Sequence, residues 1–360
     1  MAGCDILISG TGGFAARIAF DIAATADESV EVVIAGRNRE RLNWLRTAAN
    51  ARAALFGRKA RFTTHAIDLL APDASDDLLT QTDPRILVQA ASIQTSQVIA
   101  QSGNAWTRLV AEGGLSATAV FQALISSRVA TAITRRGKPV TLVNCSFPDV
   151  VNGIITALGH EVACGMGNVA ILSNVFAGSA AAPPGSGIKV LAHYQNLAAW
   201  RRPPEQRGGR APRVWLDGAE IKDVYGHFAD IQLTPEPVIE ISGASGVPML
   251  LAMAAGRSWR GHVPGPNGLP GGYPVRLVER TVELDLPSGL TRADAISWNA
   301  SFEEQNGLTV SPDGWIRFTG ILGARLGEHV PGLRKGFAAT ELEAVCDDLL
   351  ELRTRLMREA

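Results

Sequence analysis

Residues 5–9, Asp-Ile-Leu-Ile-Ser, form a short apolar run that stops at Gly10-Thr11-Gly12-Gly13-Phe14-Ala15. An alanine-rich segment follows over 14–26, with Phe14, Ile18 and Ile22 at helical spacing. A strand, a Gly-x-Gly-x-x-Ala loop and a helix are the setting that holds a dinucleotide pyrophosphate. Gly10 permits the tight turn, and Gly12 lets backbone approach the phosphates. Ala15 in the third position still allows close packing of helix on strand. The helix start offers unpaired N–H groups and the positive end of a dipole.

The rest of the first half alternates in the same way. Further strands are expected at 30–35, 61–67, 86–90 and 139–144, with helices at 39–56 and 105–135. Such alternation predicts an α/β chain whose N-terminal part is a Rossmann-type, doubly wound parallel sheet. The pattern changes after about residue 150. A helix is expected near 149–158, then a turn at Cys164-Gly165-Met166-Gly167-Asn168. Strand-like pieces at 188–192 and 275–286 are separated by stretches rich in Gly, Pro and Arg, and a charged amphipathic helix closes the chain at 338–358. We therefore expect a dinucleotide-binding domain over 1–150 and a mixed α+β domain over 151–360, for substrate contacts and dimerisation. The apolar stripe Leu342, Val345, Leu349, Leu352 on the last helix needs cover, from the same subunit or from the second copy of a homodimer.

The end of the second strand selects the cofactor. An Asp or Glu there would accept from the ribose hydroxyls of NAD(H). This chain has Gly36-Arg37-Asn38-Arg39. A guanidinium pairs with a 2′-phosphate where a carboxylate repels it. NADP(H) is expected over NAD(H), with Arg37 as the main contact and Asn38 beside it. Asp68, after the third strand, caps its turn or meets the adenine. Ala90, Ala91 and Ser92 close the fourth strand, where small side chains let a cofactor cross the sheet edge.

Composition narrows the classes. With 46% hydrophobic and 19% charged residues and a net charge of -1, the chain fits a globular protein and lacks the basic balance of a nucleic-acid or membrane-surface binder. No apolar run reaches the ~18 residues of a membrane span. The start, Met1-Ala2-Gly3-Cys4-Asp5, has no basic region or cleavage site, so a reduced, cytoplasmic protein is expected. The four cysteines and six histidines are scattered, and no metal is expected.

The first half, on Gly10-Thr11-Gly12-Gly13, Ala35-Gly36-Arg37-Asn38 and Ile67-Asp68-Leu69, resembles the NADP-binding domain of the saccharopine dehydrogenase-like group. The second half resembles, more loosely, the lactate/malate dehydrogenase fold. Asn144-Cys145-Ser146-Phe147-Pro148-Asp149 is similar to that family's Asn-Pro-x-Asp strand end, with an insertion. Gly165-Met166-Gly167-Asn168 is similar to its glycine turn, His193 ahead of Trp200 to its catalytic histidine, and Gly271-Gly272-Tyr273-Pro274-Val275 to a late strand. The resemblance implies a carboxylate partner for the histidine, but Ile171 stands at the matching position. Asn174 stands where it implies a substrate-binding arginine, and Ser92–Asn104 shows no loop arginine.

Hydride transfer needs orientation and one proton donor or acceptor. His193 ends an apolar strand and is the first candidate, with Tyr194 expected on the opposite strand face. Asn144, at the end of the last Rossmann strand, either holds substrate or carboxamide or serves as a cap. Asp149 is expected to cap a helix. Cys145 has no activating base in view. Arg201, Arg202, Arg207, Arg210 and Arg213 sit in a Pro- and Gly-rich stretch, read as a solvated loop or as a lid for an anionic substrate or partner. These readings converge on an NADP(H)-dependent oxidoreductase acting on a carbonyl or imine carbon of a small or peptide-like substrate. The alternatives are a saccharopine-like dehydrogenase acting on a secondary amine and a non-catalytic dinucleotide sensor or scaffold.

Overall fold

The computed structural model describes residues 3–94, 103–233 and 238–359. Met1, Ala2 and residues 95–102 of the stretch searched for a loop arginine lie outside the described residues.

The first half contains β1 (Ile6–Ser9), α1 (Gly13–Thr25), β2 (Val30–Gly36), α2 (Arg39–Leu55), β3 (Ala60–Ala66), α3 (Ala74–Thr82), β4 (Ile86–Gln89), α4 (Ala105–Gly113), α5 (Ala119–Arg136) and β5 (Thr141–Asn144). Its strands form one parallel sheet in the order β3-β2-β1-β4-β5. The order reverses between β1 and β4, and ligands of open α/β sheets bind beyond the carboxyl ends of the strands at such a switch point. The helix expected over 105–135 is two helices, parted at Gly114, whose φ of +90° interrupts the helical backbone. Beyond β5 the ladder continues for one bridge only. Ala163 N–H donates to Leu142 O and Asn144 N–H to Cys164 O, each at 2.8 Å.

The central strands β1 and β4 are buried on both faces, which is why they read as nearly unbroken apolar runs. Ile6, Ile8, Val32, Ile34 and Val88 pack under α1 and α2, while Leu7, Leu87 and Leu142 face the opposite way under α5. The second half supplies material to each face. It comprises α6 (Val150–Ala157), α7 (Val169–Ala177), β6 (Ile188–Leu191), β7 (Arg213–Leu216), β8 (Ala219–Glu220), α8 (Ile239–Ser245), α9 (Val247–Ala255), β9 (Trp259–Pro264), β10 (Gly272–Val278), β11 (Thr281–Leu284), α10 (Arg292–Gln305), β12 (Leu308–Val310), β13 (Trp315–Phe318), α11 (Gly320–His329), β14 (Phe337–Ala338) and α12 (Leu342–Leu356). The strands pair into three small antiparallel sheets, β6-β7-β8, β9-β10-β11 and β12-β13-β14. Residues of α9 and β9–β11 join the core on the α1 side. Those of β12, β13, α11 and α12 join the core on the α5 side.

The stripe Leu342, Val345, Leu349, Leu352 is buried against this same chain, where Arg353 also lies 4.8 Å over the Phe121 ring. Among the described residues no helix is long and apolar enough to cross a membrane. None of the four cysteines is in a disulfide, and no group of three or more His, Cys, Asp or Glu side chains among the described residues could hold a metal ion.

Candidate functional site

Two constellations lie at the carboxyl edge of the parallel sheet. The first is the loop between β1 and α1. Gly10 has φ +123°, and a Cβ there would lie 3.0 Å from the Ala90 carbonyl carbon and 3.1 Å from Ala91 N. Its N–H donates to Ala35 O at 2.7 Å, and Ala90 N–H donates to Ser9 O at 2.8 Å. Buried Gln89 accepts from the Ser9 hydroxyl and donates to Ala91 O. The tips of β1 and β4 are thereby clamped together. A Cβ on Gly12 would meet nothing within 4 Å, whereas one on Gly13 would come within 3.2 Å of Ile239 Cδ1. No side chain caps α1, and its first turn carries no acid. Ala15 is buried against the sheet, as close packing demands. Gly10→Ala should cost about 1–3 kcal/mol in urea melts, because the backbone is left-handed and the methyl group has no space.

Around this cradle the expected cofactor residues divide. Arg37 is exposed just after β2, and among the described residues it makes no hydrogen bond or ion pair, which leaves its guanidinium turned to solvent. Asn38 instead caps α2, accepting from Arg41 N–H at 2.9 Å. Asp68 accepts from Leu70 N–H at 3.1 Å and so caps its own turn. The Ser92 hydroxyl donates to Gln94 O. Thr11 packs its methyl against Gly36, where a Cβ would come within 2.8 Å, and its carbonyl accepts from Arg41 Nε. Phe14, in the first turn of α1, is half-buried.

The second constellation is a buried polar nest. His193 is 1% exposed. The strand before it stops at Leu191, and His193 opens a single turn over Tyr194–Asn196. Tyr194 therefore does not take the opposite face of a strand, and the two rings sit 4.4 Å apart. His193 Nδ1 accepts from Gln195 N–H at 3.3 Å. The ring hydrogen must then be on Nε2, which lies 3.1 Å from Glu303 Oε1. Phe302 stacks on the imidazole at 4.9 Å. Glu303 also accepts from the Ser116 hydroxyl at 3.0 Å and from Leu308 N–H at 2.8 Å. Ser116 in turn accepts from the Tyr194 hydroxyl, 2.9 Å away. Burial, and then Glu303 beside it, holds the Tyr194 phenol well above its ordinary pKa.

Asp149 belongs to this nest and does not cap α6. Its backbone, φ -55° and ψ -29°, is already helical, whereas a capping side chain works from an extended residue. One carboxyl oxygen, Oδ1, accepts from Asn168 Nδ2, while Oδ2 is buried without a partner. Burial is the largest influence and raises its pKa to about 6, with Glu303 adding to the rise and His193 and Asn168 opposing it.

Asn144 is 2% exposed and engaged within the protein. Its Oδ1 accepts from the Ser126 hydroxyl at 2.9 Å, and its Nδ2 donates to Asn152 Oδ1 at 2.7 Å. Of the two expected roles, these contacts are those of a side chain that ties β5 to α5 and α6. Burial pushes the Cys145 thiol up, which keeps it from serving as a nucleophile. His262 accepts from Val190 N–H and is lowered to about 3 by burial. His160 lies between the Thr131 and Thr134 hydroxyls.

The arginine-rich stretch is fastened to the fold. Arg207 lies 4.6 Å over Trp200 and donates to the Phe228 and Ile231 carbonyls. Arg210 lies over Trp298 and Phe302 at 4.6 and 4.9 Å, and Arg213 pairs with Glu220.

Sequence reasoning missed Glu303, Ser116 and the role of Asp149. A faint signal existed: Asn299 and Glu303 are spaced i, i+4 on an otherwise unremarked helix, and both are buried.

No family model matches the sequence, and no curated protein is similar enough to count as a match. Solved structures do match. The lactate dehydrogenase of Cryptosporidium parvum, complexed with lactic acid and nicotinamide adenine dinucleotide, superposes with a TM-score of 0.51 at 14% identity, over 84% of this chain and 96% of that one. The malate dehydrogenase of the same organism gives 0.53 at 14% identity, over 84% and 96%. The lactate dehydrogenase of Eimeria maxima, with NADH and oxamate, gives 0.52 at 13% identity, over 83% and 93%. This is the lactate/malate dehydrogenase fold. The structure also locates the departures from that family's pattern. Ile171 is buried in an apolar cluster under α7, and the Asn174 amide donates to Ala170 O. The carboxyl beside His193 comes from α10 instead.

Proposed function

We propose that this protein is an NADP(H)-dependent oxidoreductase that transfers hydride to or from a carbonyl or imine carbon of a small or peptide-like substrate. The observation that carries the reading is the glycine cradle. Gly10 is pressed onto Ala90 and Ala91, Gly12 opens to solvent, and the start of α1 is uncapped and free of acids. A phosphate-bearing ligand suits these features, and an ordinary turn needs none of them. The fold supports the same reading, since its solved relatives at 13–14% identity include enzymes described with nicotinamide dinucleotide. Arg37 supports the phosphorylated form, because it is the free cation at the end of β2 and no carboxylate stands there. Bound in the cradle, the reduced nicotinamide would supply the hydride. The chain's own contribution is to orient substrate at the sheet edge, exclude water and handle one proton within the nest around His193.

The test is fluorescence titration with NADPH and NADH. Wild-type protein should favour NADPH, and Arg37→Asp should reverse the order, weakening NADPH by about 10–100-fold through loss of charge-assisted hydrogen bonds. Unchanged NADPH affinity in that variant would refute the assignment. NADPH oxidation with a panel of aldehydes, ketones and 2-oxo acids supports carbonyl reduction. Turnover that requires an added amine favours the saccharopine-like alternative. Tight NADPH binding without turnover on any carbonyl or imine favours the sensor.

A further inference from the structure

The two carboxyls of the nest are unequally served. Glu303 has three donors around it: the Ser116 hydroxyl, Leu308 N–H and His193 Nε2–H. Asp149 has one, the Asn168 amide, and its second oxygen is buried and unpaired. Both imidazole nitrogens of His193 are occupied, by Gln195 N–H and Glu303. The group left with capacity to meet a ligand is therefore Asp149.

Its surroundings agree. Asp149 lies five residues beyond the end of β5, at the start of α6, and β5 pairs with β4 through Gln89 and Asn144, so this segment leaves the same carboxyl edge of the sheet that carries the glycine cradle. Asn168, which holds its other oxygen, has a backbone of φ 48° and ψ -102°, which asparagine rarely adopts. Strain retained at the one residue that fixes a buried carboxyl marks a place where geometry is kept at a cost in stability. The charged and titratable groups around Asp149 are His193 and Glu303, with the Tyr194 and Tyr273 hydroxyls within electrostatic reach.

Resting on the oxidoreductase reading above, we propose that Asp149 Oδ2 is the proton donor of the reaction and meets the carbonyl oxygen of the substrate. As the carbonyl carbon gains hydride from the reduced nicotinamide, the C=O π pair moves onto oxygen, and that oxygen takes the Asp149 proton. The products would be the alcohol, the oxidised nicotinamide and the Asp149 carboxylate, which regains its proton from solvent when product leaves. Oxidation runs through the same positions in reverse. Glu303 acts as a positioning residue that fixes the tautomer of His193. A buried carboxyl with a single donor holds its proton close to neutrality, where both of its forms are available.

The full chain, labelled with 13C in its aspartates, can be titrated by NMR without any ligand. One carboxyl should titrate near 6, and that signal should vanish in Asp149→Asn. Asn168→Gly, which keeps the backbone and removes the hydrogen bond, should move the midpoint upward. Asp149→Asn should bind NADPH within about twofold of wild type. Its turnover of the best carbonyl compound from the panel should fall by about 100-fold or more and lose the pH limb near 6. An Asp149 titration in the ordinary carboxylate range, or undiminished turnover in Asp149→Asn, overturns the proposal. Failure of wild-type protein to bind NADPH is a separate result: it overturns the dinucleotide reading and the proposal with it.

Discussion

Glu303→Ala should destabilise the protein by about 3–5 kcal/mol in urea unfolding at neutral pH, a large share of the ~5–15 kcal/mol that holds a typical domain together. Glu303 joins three parts of the chain that are far apart in sequence. Ser116 lies between α4 and α5 of the Rossmann half, His193 follows β6, and Leu308 opens β12. Removing the carboxyl leaves three buried donors without their acceptor, and each such loss costs about 1–3 kcal/mol. The cavity adds to this, and entry of water offsets part of it. Ser116→Ala removes only one arm and should cost about 1 kcal/mol. A loss below 1 kcal/mol in Glu303→Ala would mean that the nest is already hydrated and that the three segments are held elsewhere.

The parallel sheet was legible because its central strands are buried on both faces and read as compact apolar runs, as at Ile6-Leu7-Ile8, while the edge strand β3 alternates instead, with Arg61 and Thr63 exposed. The glycine cradle was legible because its constraints are local: a left-handed φ at Gly10 and an open Cβ position at Gly12 follow from residue type. The nest was not. Glu303 is 110 residues from His193 and sits beside Glu304, an exposed residue of the same kind. Nothing local distinguishes a glutamate that turns inward from one that faces water.

The misread residues fail for similar reasons. Pro148-Asp149 carries a genuine helix-start signal, but a cap is decided by backbone dihedrals, and Asp149 is one residue too far into the helix. His193 and Tyr194 were placed on opposite faces by a strand period that ends two residues before His193. The arginines of 201–213 lie among Pro and Gly, yet Trp200 and Trp298 supply the aromatic faces that hold Arg207 and Arg210. The stripe on α12 was correctly apolar. Its cover comes from the first half of the same chain, which only the folded topology shows.

The second large effect concerns pH. Asp149→Asn should flatten the pH dependence of stability, changing the difference from wild type by about 3 kcal/mol between pH 4 and pH 8. In the unfolded chain the carboxyl loses its proton near its ordinary value of 3.8, whereas in the fold it keeps the proton to about 6. A raised carboxyl pKa stabilises the protein fully below the unfolded value. That contribution is lost as pH rises from about 4 through 6, because the native state must then ionise a group that burial has deprived of water. A shift of roughly two pKa units corresponds to about 3 kcal/mol. The variant cannot ionise there, so it gains on wild type over this window and stays level above it. Groups such as His160 and His262 titrate in both proteins and cancel in the comparison. Parallel stability curves from pH 4 to pH 8 would refute the expectation. A divergence of the stated sign would mean that the protein gives up stability at neutral pH to keep a half-served carboxyl in its interior. That cost is the physical signature expected of a buried carboxyl whose proton is used.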